Sequence, residues 1–256
     1  LPMSGVAIVG QLLFVYYLSI WGSTAGAGIY GAQFYGRGDM DGMRHTFRFK
    51  LIIVSVITAA AIALLSAAGA ALIRRYIAAD TSAADVEATM SYALDYLHIM
   101  LIGLVPFAVT QCYAGTLRES GQTVLPMRAS IAAIVVNFVF NSLLIFGLLG
   151  FPRLGVVGAA IATVISRFVE LAIVVYGAHR TPGRFPFFEG VFRGFRIPWG
   201  LAKNIMSKSL PLLCNELLWS TGQAVLLQCY YVRGIQVVAA MNICSTVSQI
   251  FNEAFL

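Results

Sequence analysis

Residues 129–152 read ASIAAIVVNFVFNSLLIFGLLGFP, a run without one charged side chain. About 20 apolar residues in an α-helix cross the hydrocarbon core of a bilayer. Runs of the same kind extend over Leu1 to Gly36, Leu51 to Ile73, Tyr96 to Leu117 and Gly234 to Asn252. Two more qualify with interruptions: Leu154 to Tyr176, broken by Arg167 and Glu170, and Ser209 to Val232, broken by Glu216. Seven spans leave little of the 256 residues for anything else. The whole chain agrees, with 59% hydrophobic residues, 11% charged and a mean hydropathy of +0.82. A soluble domain carries about 25% charged residues. The expected fold is all-α, a polytopic helical membrane protein, and this composition excludes a secreted disulfide scaffold, a nucleic-acid-binding domain and a soluble enzyme.

The net charge of +6 could point to an anionic partner, so its distribution decides. Arg37, Arg44, Arg48 and Lys50 follow the first span, Arg118 and Arg128 the third, and Arg180, Arg184, Arg193, Arg196, Lys203 and Lys208 the fifth. The alternate connections hold Arg74 and Arg75, then Arg153, then Arg233. Twelve basic residues against four is a topology signal, and the positive-inside rule makes the richer set cytoplasmic. No nucleic-acid partner is implied. This orientation starts the chain outside, while Leu1 is no initiator methionine and no basic n-region precedes the first span, so no signal peptide is expected. The expectation is a fragment, with at least one helix before Leu1 and an artificial end after Leu256.

Cys112, Cys214, Cys229 and Cys244 fall inside apolar spans without a CxxC pair, and His45, His98 and His179 share no ligand spacing. No metal site is expected. Gly26-Ala-Gly28-Ile-Tyr-Gly31 matches the GxGxxG pattern of dinucleotide folds, but that motif needs a strand before it and a helix after it. Here it lies in an uncharged run of helical length. Close helix packing is the better reading, since Gly22 and Gly26 also form a GxxxG.

Polar groups in hydrocarbon are costly, and here they fall on stripes. Ser130, Asn137 and Asn141 share one face of the fourth span; Thr163, Arg167 and Glu170 share one of the fifth. Glu216, Ser220 and Gln223 align in the sixth, and Asn242, Thr246, Gln249 and Glu253 in the seventh. Such faces turn toward a bundle interior or a water-filled cavity. Arg167 and Glu170, three apart on one helix, read as a structural ion pair. Glu216 has no basic residue within a turn of its own helix, and a carboxylate so placed is suited to bind a proton or an alkali cation.

Three strings resemble the multidrug and toxic compound extrusion (MATE) family. Gly31-Ala-Gln33-Phe-Tyr-Gly36-Arg-Gly-Asp39 is similar to its second-helix ending. Leu117 to Pro126, Asn137 to Gly147, Gly150-Phe-Pro152 and Gly155 to Arg167 look like its fourth-to-sixth-helix signature. Leu210-Pro211, Asn215-Glu216 and Trp219 resemble the seventh helix of one bacterial branch. The resemblance implies that the seven spans are helices two to eight of twelve. Residues 1–178 would be the N-lobe without its first helix, 179–206 the cytoplasmic connection between lobes, and 207–256 the start of the C-lobe with two helices. It further implies an inner (plasma) membrane antiporter, working as a monomer among membrane lipid, that exports small organic cations in exchange for Na+ or H+ and needs no cofactor. Asn137 and Thr163 match family residues of an N-lobe ion site, Asn141 stands where some members have Asp, and Glu216 matches a C-lobe cation ligand. Gln33, Gln223, Asn242 and Gln249 are candidates for lining the cavity. A lipid-linked oligosaccharide flippase of the same superfamily is an alternative that would show basic residues in its cavity, where only Arg167 qualifies; a non-transporting remnant is another. No paired intramembrane aspartates, HExxH or Ser/His constellation suggests an enzyme.

Overall fold

The structure is a computed structural model that describes residues 2–76, 83–180, 183–194 and 196–231, together with 244 and 248. Six α-helices follow one another: α1 Pro2–Gly36, α2 Met40–Tyr76, α3 Ala83–Glu119, α4 Val124–Phe146, α5 Val156–His179 and α6 Trp199–Tyr231. Two single 3-10 turns, Leu148–Gly150 and Pro186–Phe188, interrupt the connections. Among the described residues no strand occurs, and five helices, α1 to α5, are long and apolar enough to cross a membrane. The protein is a multi-pass helical membrane protein. The expected seventh span lies outside the described residues, and Asn242, Thr246, Gln249 and Glu253 with it.

Helices α2 and α3 continue past both ends of the apolar runs that announced them. The connection expected at residues 37–50 shrinks to the turn at Arg37 to Asp39, where Gly38 takes a φ of 74° and the Asp39 carboxylate accepts the Gly42 N–H at 2.8 Å. An Asp at a helix N-cap satisfies an orphan donor of the first turn. Arg44, Arg48 and Lys50 therefore belong to the first turns of α2 and not to a free loop. Arg48 is 7% exposed and donates from Nε to the Val191 carbonyl at 2.8 Å and from Nη2 to Gly190 at 2.9 Å. Arg44 donates from Nη2 to the Pro186 carbonyl at 3.0 Å. Phe188 buries its ring against Phe47 and Tyr113, and the buried Phe187 packs on Phe188. Guanidinium groups and aromatic packing thus hold the connection between α5 and α6 against the basic end of the bundle.

The central helix is α3. Leu97, Leu104, Phe107, Tyr113 and Leu117 are buried along it, and it packs on α1, α2 and α5. A buried hydrogen bond ties three helices together: the Tyr16 hydroxyl lies 2.9 Å from Thr58 Oγ1 and donates to the Leu104 carbonyl at 3.1 Å. The α4–α5 hairpin is fixed by glycines. Gly147 ends α4 in the left-handed region at φ 69°, where only a residue without Cβ is unstrained. Gly158 lets α5 approach so closely that an added Cβ would stand 2.8 Å from the Leu144 carbonyl oxygen. The outer face of α4 presents Ile131, Ile134, Val135 and Phe138, all exposed, as a surface solvated by lipid requires.

The orientation read from the basic loops has its own expected result. In a cysteine-free background, cysteines placed at the exposed Arg37 and Arg193 should resist a membrane-impermeant thiol reagent added to intact cells, while one at Arg153 should react. Labelling at Arg37 and Arg193 from outside would reverse the topology.

Candidate functional site

The stripes on α4 and α5 meet in the seam between these helices. Asn141 donates from Nδ2 to Asn137 Oδ1 at 2.9 Å, and Asn137 donates from Nδ2 to Thr163 Oγ1 at 3.4 Å. Thr163 in turn donates to the Ala159 carbonyl at 2.9 Å. Asn141 Oδ1 is buried without a hydrogen-bond partner among the described residues. A buried acceptor left open costs about 1–3 kcal/mol, so this oxygen is a place where a cation or a donor would be stabilised. The trio offers neutral oxygens only. Its capacity for a cation therefore depends on charge brought from elsewhere.

A second polar rung crosses the same seam two turns away, about 10 Å along α5 at 1.5 Å per residue. Ser130 donates to Glu170 Oε1 at 2.8 Å, and Arg167 Nη1 stands 3.5 Å from Glu170 Oε2. The guanidinium carbon of Arg167 also lies 4.7 Å from the centroid of Phe107, whose ring packs on Tyr17. Arg167 is thus held by a carboxylate on its own helix and by the face of an aromatic ring on α3, an arrangement that lowers the cost of a charge in the span.

The other seam lies between α1 and α6. The glycine string, expected to pack helices closely, is a packing face here, Gly26 against α6 and Gly28 and Gly31 against the end of α3. A Cβ on Gly26 would collide with the Ser209 backbone, one on Gly28 would stand 2.7 Å from Glu119 Oε1, and one on Gly31 would strike Glu119 Oε2. One turn before, a Cβ on Gly22 would come within 3.1 Å of Glu216 Cγ and of Leu213 Cα. Phe14 and Trp219 continue the seam with ring centroids 6.1 Å apart. Glu216 is half-buried there, with no hydrogen bond or ion pair among the described residues. Gln33 and Gln223 are exposed on α1 and α6. Gly26→Val should force the helices apart, at the 1–3 kcal/mol usual for overpacking. Cross-linking of Phe14→Cys to Trp219→Cys by a short bifunctional thiol reagent should fall in that background, and unchanged cross-linking would show that the seam tolerates a side chain.

The sequence reading missed one buried ion pair. Lys50, counted there among loop cations, is 1% exposed; its Nζ donates to both oxygens of Glu119, 2.6 Å from Oε2, and to Thr116 Oγ1 at 3.1 Å. The pair joins the start of α2 to the end of α3 beneath the Gly28 and Gly31 face of α1. Alternation of the spans puts both residues at the same membrane face, but nothing in the order of residues says that they touch.

A bundle of membrane-spanning helices whose ionisable groups sit in interhelical seams defines an integral, multi-pass membrane protein. The chain belongs to the MatE family, whose model matches residues 1–143. A probable multidrug resistance protein NorM from Thermotoga maritima is 26% identical over 256 residues, covering 99% of this chain and 52% of that protein. A second NorM, from Geobacillus kaustophilus, is 26% identical over 210 residues, or 82% of this chain and 44% of that one. The chain spans about half the length of the curated relatives it matches. Among solved structures, a MATE crystal structure in the bent conformation superposes with a TM-score of 0.81 at 20% identity, covering 97% of this chain and 53% of that one. A MATE family transporter of the MOP superfamily in an outward-facing conformation gives 0.78 at 21% identity, covering 94% and 51%. These likenesses establish the fold, and the relatives are transporters, not enzymes.

Proposed function

We propose that this chain is the N-lobe and the start of the C-lobe of a cation-coupled multidrug antiporter of the inner (plasma) membrane, which exports organic cations by alternating access. The observation that carries the reading is Glu216, a carboxylate without a partner among the described residues, half-buried against Gly22 where α1 and α6 meet. A charge so placed in a membrane protein is costly, and such residues mark ion or substrate pathways. The names of the relatives, probable multidrug resistance proteins, point the same way. Asn137, Asn141 and Thr163 would supply neutral oxygen donors to a second ion position in the α4–α5 seam, with Na+ or H+ as the coupling ion. No other cofactor enters this reading, and the working unit is a monomer.

The test is efflux from cells that express the complete reading frame and are loaded with a fluorescent organic cation. Export should rise when an inward Na+ or H+ gradient is imposed and should stop when both are collapsed. Gradient-independent retention of the dye would remove the antiporter reading. Movement of a lipid-linked sugar across the membrane in its place would favour the flippase.

A further inference from the structure

One cavity lies outside both polar seams. It is a groove of about 830 Å³ on the side of the bundle formed by α2, α3 and α5, with the connection after α5 closing one end. Val109 on α3 is part of its floor, the exposed Val56 part of one wall, and Phe192 closes the basic end. Leu171, Val175 and His179 line it from α5 at steps of four. At 1.5 Å per residue those eight positions extend about 12 Å inward from the basic end. Half of a hydrocarbon core about 30 Å thick is about 15 Å. The groove is therefore nearly as deep as one leaflet, and apolar but for Ser55 and the Tyr113 and His179 pair.

The mouth has a different chemistry. The Tyr113 hydroxyl and His179 Nε2 stand 3.1 Å apart, and the imidazole neighbours the rings of Phe188 and Phe192. Arg180 directly follows His179, and Arg193 directly follows Phe192; both are exposed and have no ion pair among the described residues. Arg180 rests on the Tyr176 ring, with the guanidinium carbon 5.6 Å from its centroid. Glu189, the acidic residue of this connection, accepts the Gly183 N–H at 2.6 Å and forms no ion pair with either arginine. An apolar slot of nearly leaflet depth, with exposed arginines immediately after two of the residues that line its basic end, matches one kind of molecule in both halves: acyl chains below and an anionic headgroup above.

We propose that the α2–α3–α5 groove is a binding site for an anionic phospholipid of the leaflet at the basic end. Its acyl chain fills the slot beside Val56, Leu171 and Val175, and its phosphate sits between Arg180 and Arg193. None of these residues belongs to the α1–α6 seam or to the Asn137–Thr163 trio. The proposal therefore stands apart from the antiporter reading.

The experiment uses the full chain in nanodiscs of phosphatidylethanolamine and phosphatidylglycerol, three to one, followed by detergent release and native mass spectrometry. The wild-type chain should carry one phosphatidylglycerol and no retained phosphatidylethanolamine. Arg180→Gln with Arg193→Gln, two surface changes, should lower phosphatidylglycerol occupancy about thirtyfold, since each basic group near an anionic headgroup contributes about a factor of five. Val56→Trp should fill the slot and displace lipid with both arginines intact. Equal retention of the two lipids would overturn the proposal, as would phosphatidylglycerol occupancy unchanged in the double variant. A dimer of lipid-free chains would instead assign the groove to a second copy.

Discussion

Glu216→Gln should abolish ion-driven export of a fluorescent organic cation while the protein still reaches the membrane at near wild-type amounts. The amide keeps the volume of the carboxylate against Gly22, where an added Cβ would already be within 3.1 Å of Glu216 Cγ, so the α1–α6 contact survives the change. What it loses is the negative charge. A neutral amide neither releases a proton nor balances a bound cation, and exchange requires one group to alternate between those states. The measurement is the initial rate of dye efflux at fixed expression, in Na+ and in a pH gradient separately. A loss of at least a hundredfold in the active gradient is expected; efflux and pH dependence like the wild type would return Glu216 to a packing role.

Glu119→Gln should be the most destabilising conservative change in the described part of the chain. Lys50 is 1% exposed, and Glu119 supplies the charge opposite its ammonium group. Removing one partner of a buried pair leaves an uncompensated charge and costs about 3–5 kcal/mol. Thr116 Oγ1, 3.1 Å from the same nitrogen, satisfies one donor but not the charge. The double change Lys50→Met with Glu119→Gln removes both charges and should recover most of the loss, since replacing a buried pair by neutral groups of similar volume is often close to neutral. Unfolding in mild detergent with rising urea, followed by helix signal, measures both. Equal stability of the single variant and the wild type would mean that water reaches the pair.

The composition and the uncharged runs were enough to read a helical membrane protein, because hydropathy and span length are local properties set by the bilayer. The residue strings around Leu117 to Pro126 and Gly155 to Arg167 were enough to read the family, which the match over residues 1–143 establishes. The spans of α2 and α3 were read short at both ends. Charged residues interrupt a hydropathy pattern but not a helix, so α2 begins at Met40, eleven residues before the apolar run at Leu51.

Spacing on a single helix also carried through to geometry. Asn137 and Asn141, four apart, are hydrogen-bonded, and Arg167 and Glu170, three apart, stand within ion-pair distance. Contacts between helices were legible only where a short connection forced neighbours together, as the Gly147 to Gly155 turn does for Asn137 and Thr163. The partners of the glycine face on α1 were not legible. A small residue announces that something approaches closely, without saying whether it will be the Ser209 backbone or the Glu119 carboxylate. The burial of Lys50 and the groove beside His179 belong to the same class. Both arise where three elements distant in sequence converge, α2 and α3 with α1 in one case and with α5 in the other, and no one-dimensional periodicity records that convergence. The sequence alone determined that the chain is a set of membrane helices of this family; the tertiary structure decided which charges face each other, because that depends on helix rotation and packing distance across the bundle.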